Sequence, residues 1–115
     1  MSRGRHPATA SDRHRKTTQS IDQYRDRTTF IISTDHGRGS GPTDWKNHGK
    51  TIEGAENMWM AFLGPDTPPL GERADCDRVT QSQIAATLAA LLGEDYHGSV
   101  PQSGPVIKDV LPAAK

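Results

Sequence analysis

Cysteine, aromatic side chains and long apolar runs are all scarce in this chain, and each shortage excludes something. The single cysteine, Cys76, rules out an internal disulfide and any zinc module built on cysteine pairs. Aromatic residues make up 5% of the 115 residues and apolar residues 32%. A chain this short buries a modest share of its surface at the best of times, so an apolar-poor one has little from which to build a self-sufficient core. No apolar stretch reaches the length that spans a bilayer, and the N-terminus carries charges without the apolar centre of a signal peptide. Net charge is also lacking, with 14 basic and 14 acidic residues, but the balance hides an asymmetry. Residues 1–27 hold seven Lys or Arg against three acids, and residues 28–115 hold seven against eleven. Arg3, Arg5, Arg13, Arg15 and Lys16 form a basic tail of the kind that contacts nucleic-acid phosphates. No aromatic residue interleaves those charges, so we read the tail as a solvated end.

What is present has a clear order. Residues 1–18 are rich in Arg, Ser, Thr and His, lack apolar periodicity and are expected to be disordered. Residues 20–26 read as a helix end or a loop. Residues 28–34 read as a strand whose centre, Phe30, Ile31 and Ile32, is apolar without alternation, the pattern of a strand buried on both faces of a parallel sheet. Residues 35–56 are polar, with five glycines and one proline. An unstructured stretch of that length inside a domain is usually functional. Residues 57–63 read as a second apolar strand, in which Trp59 is expected to pack inward, and Gly64 and Pro65 end it.

Residues 80–92 make the best helix. Thr80 and Gln83 fit a capping box, Ile84, Leu88, Leu91 and Leu92 fall on one apolar face, and Gly93 stands where a terminating glycine belongs. Two strands and one helix do not close a sheet, and each strand is left with an uncovered edge. We therefore expect an α/β chain with an incomplete sheet, in which residues 1–18 are a tail and residues 19–115 belong to a larger domain.

The residues that carry chemistry follow the first strand. Asp35 and His36 sit where it ends, and in open α/β sheets ligands gather at the carboxyl ends of strands. Gly37 and Gly39 permit the turn that lets neighbouring side chains converge, and His48, twelve residues on, has loop enough to return. Carboxylate and imidazole suit a borderline divalent cation. Taken singly, Asp35 reads as a turn cap and His36 as a loop residue; the set of three points to a metal site. Arg38 beside them suits a phosphate or sulfate oxygen, or else an ion pair with Asp44 or Glu56. His6, His14 and His97 read as surface residues, Lys46 and Lys50 as solvated, and Trp45 stays open between core and pocket.

The run TTFIISTDHGRG, the later His48-Gly49, the strand MWMAFLGPDTP and the helix TQSQIAATLAALLG, in this order and spacing, resemble the C-terminal part of the alkaline phosphatase superfamily, in its sulfatase and type I phosphodiesterase branches. The likeness runs from about residue 19 to about residue 112. It implies a three-layer α/β sandwich and a metal-dependent hydrolase of phosphate or sulfate esters. It implies that Asp35 and His36 ligate the cation that also holds the nucleophile and that His48 ligates a second one. Zinc is the implied ion, with calcium, magnesium or manganese as alternatives. The family's nucleophile and its remaining ligands lie in an N-terminal half that has no counterpart here; Asp22 and Asp26 have the spacing of one ligand pair but not its His. The expectation is a chain inactive alone. The alternatives are one half of a split enzyme, or a non-enzymatic protein that binds nucleic acid through its basic tail.

Overall fold

Thr9 caps the helix that follows it. The computed structural model describes residues 9–112. Thr9 Oγ1 accepts from Asp12 N–H at 3.2 Å, and the Asp12 carboxylate accepts from Thr9 N–H at 3.1 Å. This reciprocal pair starts helix α1, Ala10–Gln19. The same bonds to Thr9, backbone first and hydroxyl second, hold the Asp12 carboxyl below its usual value. α1 buries no residue. It replaces the disorder expected through residue 18: capping supplies what apolar periodicity does not. Residues 1–8 of that tail lie outside the described residues.

After α1 the chain turns. Gln19 and Asp26 exchange two hydrogen bonds, of 3.1 and 2.9 Å, and Asp26 takes φ +56°, which swings the backbone into β1, Phe30–Ser33. β1 pairs with β2, Met60–Leu63, with Phe30 opposite Leu63, Ile31 opposite Phe62, Ile32 opposite Ala61 and Ser33 opposite Met60. The pair is antiparallel, which corrects the expectation of a parallel arrangement. No residue of either strand is fully buried, so the unbroken apolar run does not reflect burial on both faces here. Trp59, expected to pack inward, is 57% exposed just before β2.

The second half is built around helix α2, Ile84–Leu91, entered through a single 3₁₀ turn at Gln81–Gln83. Thr80 N–H donates to Gln83 Oε1 at 2.8 Å, one arm of the expected capping box. Gly93, φ +84°, ends the helix as expected. Its N–H bonds Ala90 O at 3.0 Å and the Glu94 N–H bonds Ala89 O at 2.9 Å, the paired closure of a Schellman motif. The buried face differs from the expected one. Leu88 and Leu92 are 50% and 75% exposed, whereas Ala86 and Thr87 are fully buried.

The segment after α3, Tyr96–Ser99, explains that choice. It returns over the start of α2 as a strap. Gly104 N–H reaches Ser82 O, Gln83 Nε2 reaches Pro105 O, and the buried Ile107 N–H donates to Thr87 Oγ1 at 3.0 Å. Thr87 in turn donates to Gln83 O at 2.7 Å. A hydroxyl that both donates and accepts is worth burying where an amide must be satisfied. The result is a mixed helix-and-strand chain with a small sheet at one end and a strapped helix at the other. Among the described residues no helix is long and apolar enough to cross a membrane.

Candidate metal centre

The ladder continues one residue beyond β1, where Thr34 N–H donates to Trp59 O at 3.3 Å. The chain then leaves the sheet through Asp35 and His36. Gly37 and Gly39 let it lie against the far limb of the loop. Gly37 N–H donates to Ala55 O at 2.8 Å, and Gly39 N–H donates to Asn47 O at 2.9 Å. Neither glycine has room for a side chain. A Cβ on Gly37 would run into the carbonyl oxygens of Asn57 and Gly54, and one on Gly39 into Asp44. The residues between are tied into turns, with Gly41 N–H on Asp44 Oδ1 at 2.7 Å and Gly54 N–H on Glu56 Oε2 at 3.1 Å. Residues 35–56, expected to be an unstructured loop, are a succession of turns locked by close backbone contact.

The bond from Gly39 to Asn47 brings His48 back to His36. Their rings stack with centroids 3.8 Å apart and planes 14° apart. Asp35 Oδ1 lies 3.5 Å from His36 Nε2, and the Asp35 side chain is 86% exposed. His36 Nδ1 is 2.6 Å from Gly37 O. A carbonyl only accepts, so Nδ1 carries the proton, and in the neutral form of the ring the lone pair is then at Nε2. That lone pair and the Asp35 carboxylate are both acceptors. They repel unless a cation, whether proton or metal ion, stands with them.

His36 therefore lies beside each of the other two residues singled out as ligands, Asp35 and His48. Imidazole nitrogen and carboxylate oxygen are donors that zinc accepts. A backbone carbonyl on the remote ring nitrogen is the usual support of a metal-bound histidine. The donors are neighbours without being aimed at one point. Lone pairs lie in the ring planes, so nearly parallel rings send them side by side. Among the described residues no group of three or more His, Cys, Asp or Glu side chains is arranged to hold an ion.

Arg38 is exposed beside the pair and joins no ion pair among the described residues. Asp44 and Glu56, its expected competitors, accept from the Gly41 and Gly54 amides instead. Trp45 is half exposed, with Lys46 Nζ 5.3 Å from its ring centroid. Asp22 pairs with Arg25 at 2.8 Å and Asp26 with Gln19. His97 Nδ1 lies 3.3 Å from Ser103 Oγ, Cys76 is exposed, and His6 lies outside the described residues. Sequence reasoning passed over Asn47, Gly54 and Ala55, the residues that fold the loop onto itself. The spacing of the loop glycines was the one signal that bore on them.

Comparisons of the chain with family models, with curated proteins and with solved structures found no match.

Proposed function

We propose that residues 35–48 form one side of a divalent-metal centre in a hydrolase of phosphate or sulfate esters, of the sulfatase or type I phosphodiesterase branch of the alkaline phosphatase superfamily. In this reading the chain is a C-terminal part of that family's three-layer sandwich. Asp35 and His36 hold the cation nearest the nucleophile, His48 holds a second, and Arg38 grips an ester oxygen through paired hydrogen bonds. Zinc suits the donor set best, with calcium, magnesium or manganese as alternatives. A bound cation supplies stabilisation of the charge that develops on the transferring phosphoryl or sulfuryl group. The chain's own contribution is to orient His36 through Gly37 O and to hold Asp35 and His48 beside it. The nucleophile comes from elsewhere, so ester turnover is not expected of these 115 residues alone.

The observation that supports this best is the meeting of His36 Nε2 with the Asp35 carboxylate under the stacked His48 ring. Calorimetric titration of the chain with zinc tests it. Saturable binding with proton uptake or release linked to ligation, weakened about tenfold or more by His36→Ala or His48→Ala, is the expected result. Absence of saturable binding, or binding indifferent to both substitutions, removes the metal centre and the hydrolase reading with it.

A further inference from the structure

The sheet has two strands, and its hydrogen bonds give away which backbone groups are idle. In an antiparallel ladder bonded and non-bonded pairs alternate. Thr34 bonds Trp59 across the ladder, so Ile32 with Ala61 and Phe30 with Leu63 are the bonded pairs. The N–H and C=O groups of Ile31 and Ser33 therefore point away from β2, and no backbone bond outside the ladder takes up either N–H among the described residues.

Edges of this kind are normally guarded by charge, proline or a bulge. Residues 28–34 contain no charged residue and no proline, and five of the seven are β-branched (Thr28, Thr29, Ile31, Ile32 and Thr34). β2 is better guarded, since Pro65 follows two residues after Leu63 and the chain turns at Gly64. The apolar face beside the open edge is only half-buried: Phe30, Ile32 and Leu63 line a cleft of about 230 Å³ that they share with Arg15 and its neighbours on α1.

We propose that the free edge of β1 is an interface, and that in these 115 residues alone, without the further strands a complete sandwich would supply, its occupant is β1 of a second copy of this chain, paired antiparallel about Ile31. Idle N–H and C=O groups call for another strand, which a lipid or a small molecule does not supply. A two-fold axis through Ile31 makes it a bonded pair with its own copy, so both idle groups of Ile31 are satisfied at once. The same register sets Phe30 opposite the copy's Ile32. Residues opposed across a ladder share a face, so the apolar faces of both copies merge into one four-stranded surface. A slip of one residue would turn one apolar face over and forfeit this.

Sedimentation of the full chain over a range of concentrations, with single-cysteine crosslinking in a Cys76→Ser background, tests this. The expected particle has twice the 12.5 kDa mass of the chain. Under oxidation Ile31→Cys should give a covalent dimer, because bonded pairs hold Cα atoms about 5.5 Å apart. Ile32→Cys should not, because its copy lies two residues off and beyond about 7 Å. Ile31→Lys should restore the monomer. On the unaltered chain the Ile31 amide should gain hydrogen-exchange protection with concentration while the Ile32 amide does not change. A monomer at every concentration, an open-ended aggregate, or equal crosslinking at Ile31→Cys and Ile32→Cys overturns the proposal.

Discussion

The two halves of this molecule close in different ways. From residue 80 to residue 107 nearly every polar group that is removed from water has an internal partner. Thr87 links Gln83 to Ile107, Gly93 and Glu94 close the last turn of α2, and Arg73 reaches Asp109 at 3.0 Å to hold the strap's end. From residue 28 to residue 63 the loop amides are paired, but several other groups are not turned inward. Among the described residues the outer edge of β1 is idle, Arg38 joins no ion pair, and His36 Nε2 lies 3.5 Å from the Asp35 carboxylate. Both halves are low in apolar burial, so the difference is not one of core size. It is a difference in where hydrogen-bonding capacity is spent. The closed half spends it on itself and the open half keeps it available, which is what a binding or pairing surface requires.

Substitutions in the two halves sharpen this contrast, and the largest effect belongs to the open one. Gly37→Ala sets a methyl group against two backbone carbonyls that cannot rotate aside. It should cost about 3 kcal/mol, the upper end of overpacking, and separate His36 from His48. Loss of zinc binding together with loss of imidazole–imidazole contacts in NMR spectra checks it; a normal fold with both retained would mean the loop is not locked. Thr87→Val keeps the shape of a buried side chain and strands the Ile107 N–H. A loss of about 2 kcal/mol in denaturant unfolding is expected, with zinc affinity untouched. An equal effect on metal binding would show that the halves are coupled and break the contrast. Gly93→Ala meets no neighbour, so its cost is that of a positive φ alone, about 1 kcal/mol. The change should be confined to the end of α2 in hydrogen exchange.

Much of the closed half can be read along the chain. Thr80 and Gln83 announced the start of α2 and Gly93 its end, because a cap is made by atoms three or four residues apart. The buried face was not legible. Ile84, Leu88, Leu91 and Leu92 outline an apolar stripe, yet the strap covers Ala86 and Thr87, and its course depends on residues 20 positions later. α1 was hidden for the opposite reason: its cap is local and readable, but it has no apolar face to draw attention to it. In the open half, Asp35, His36 and His48 could be picked out by residue type, while the direction of strand pairing could not. The unbroken apolar run of β1 is compatible with either direction, and with less burial than it suggests.

By itself, the order of residues determined the helix that begins at Thr80 and ends at Gly93, the place of the two strands, and the glycine-rich span that carries the three candidate ligands. Each of these rests on interactions within one turn or one strand, where chain connectivity already holds the partners near each other. Tertiary structure alone decided that β1 and β2 run antiparallel, that Thr87 lies beneath Ile107, and that Gly39 meets Asn47 so that His48 stacks on His36. These contacts join residues from 8 (Gly39 to Asn47) to 33 (Phe30 to Leu63) positions apart. Their entropy must be repaid by several bonds at once, so no single residue announces them.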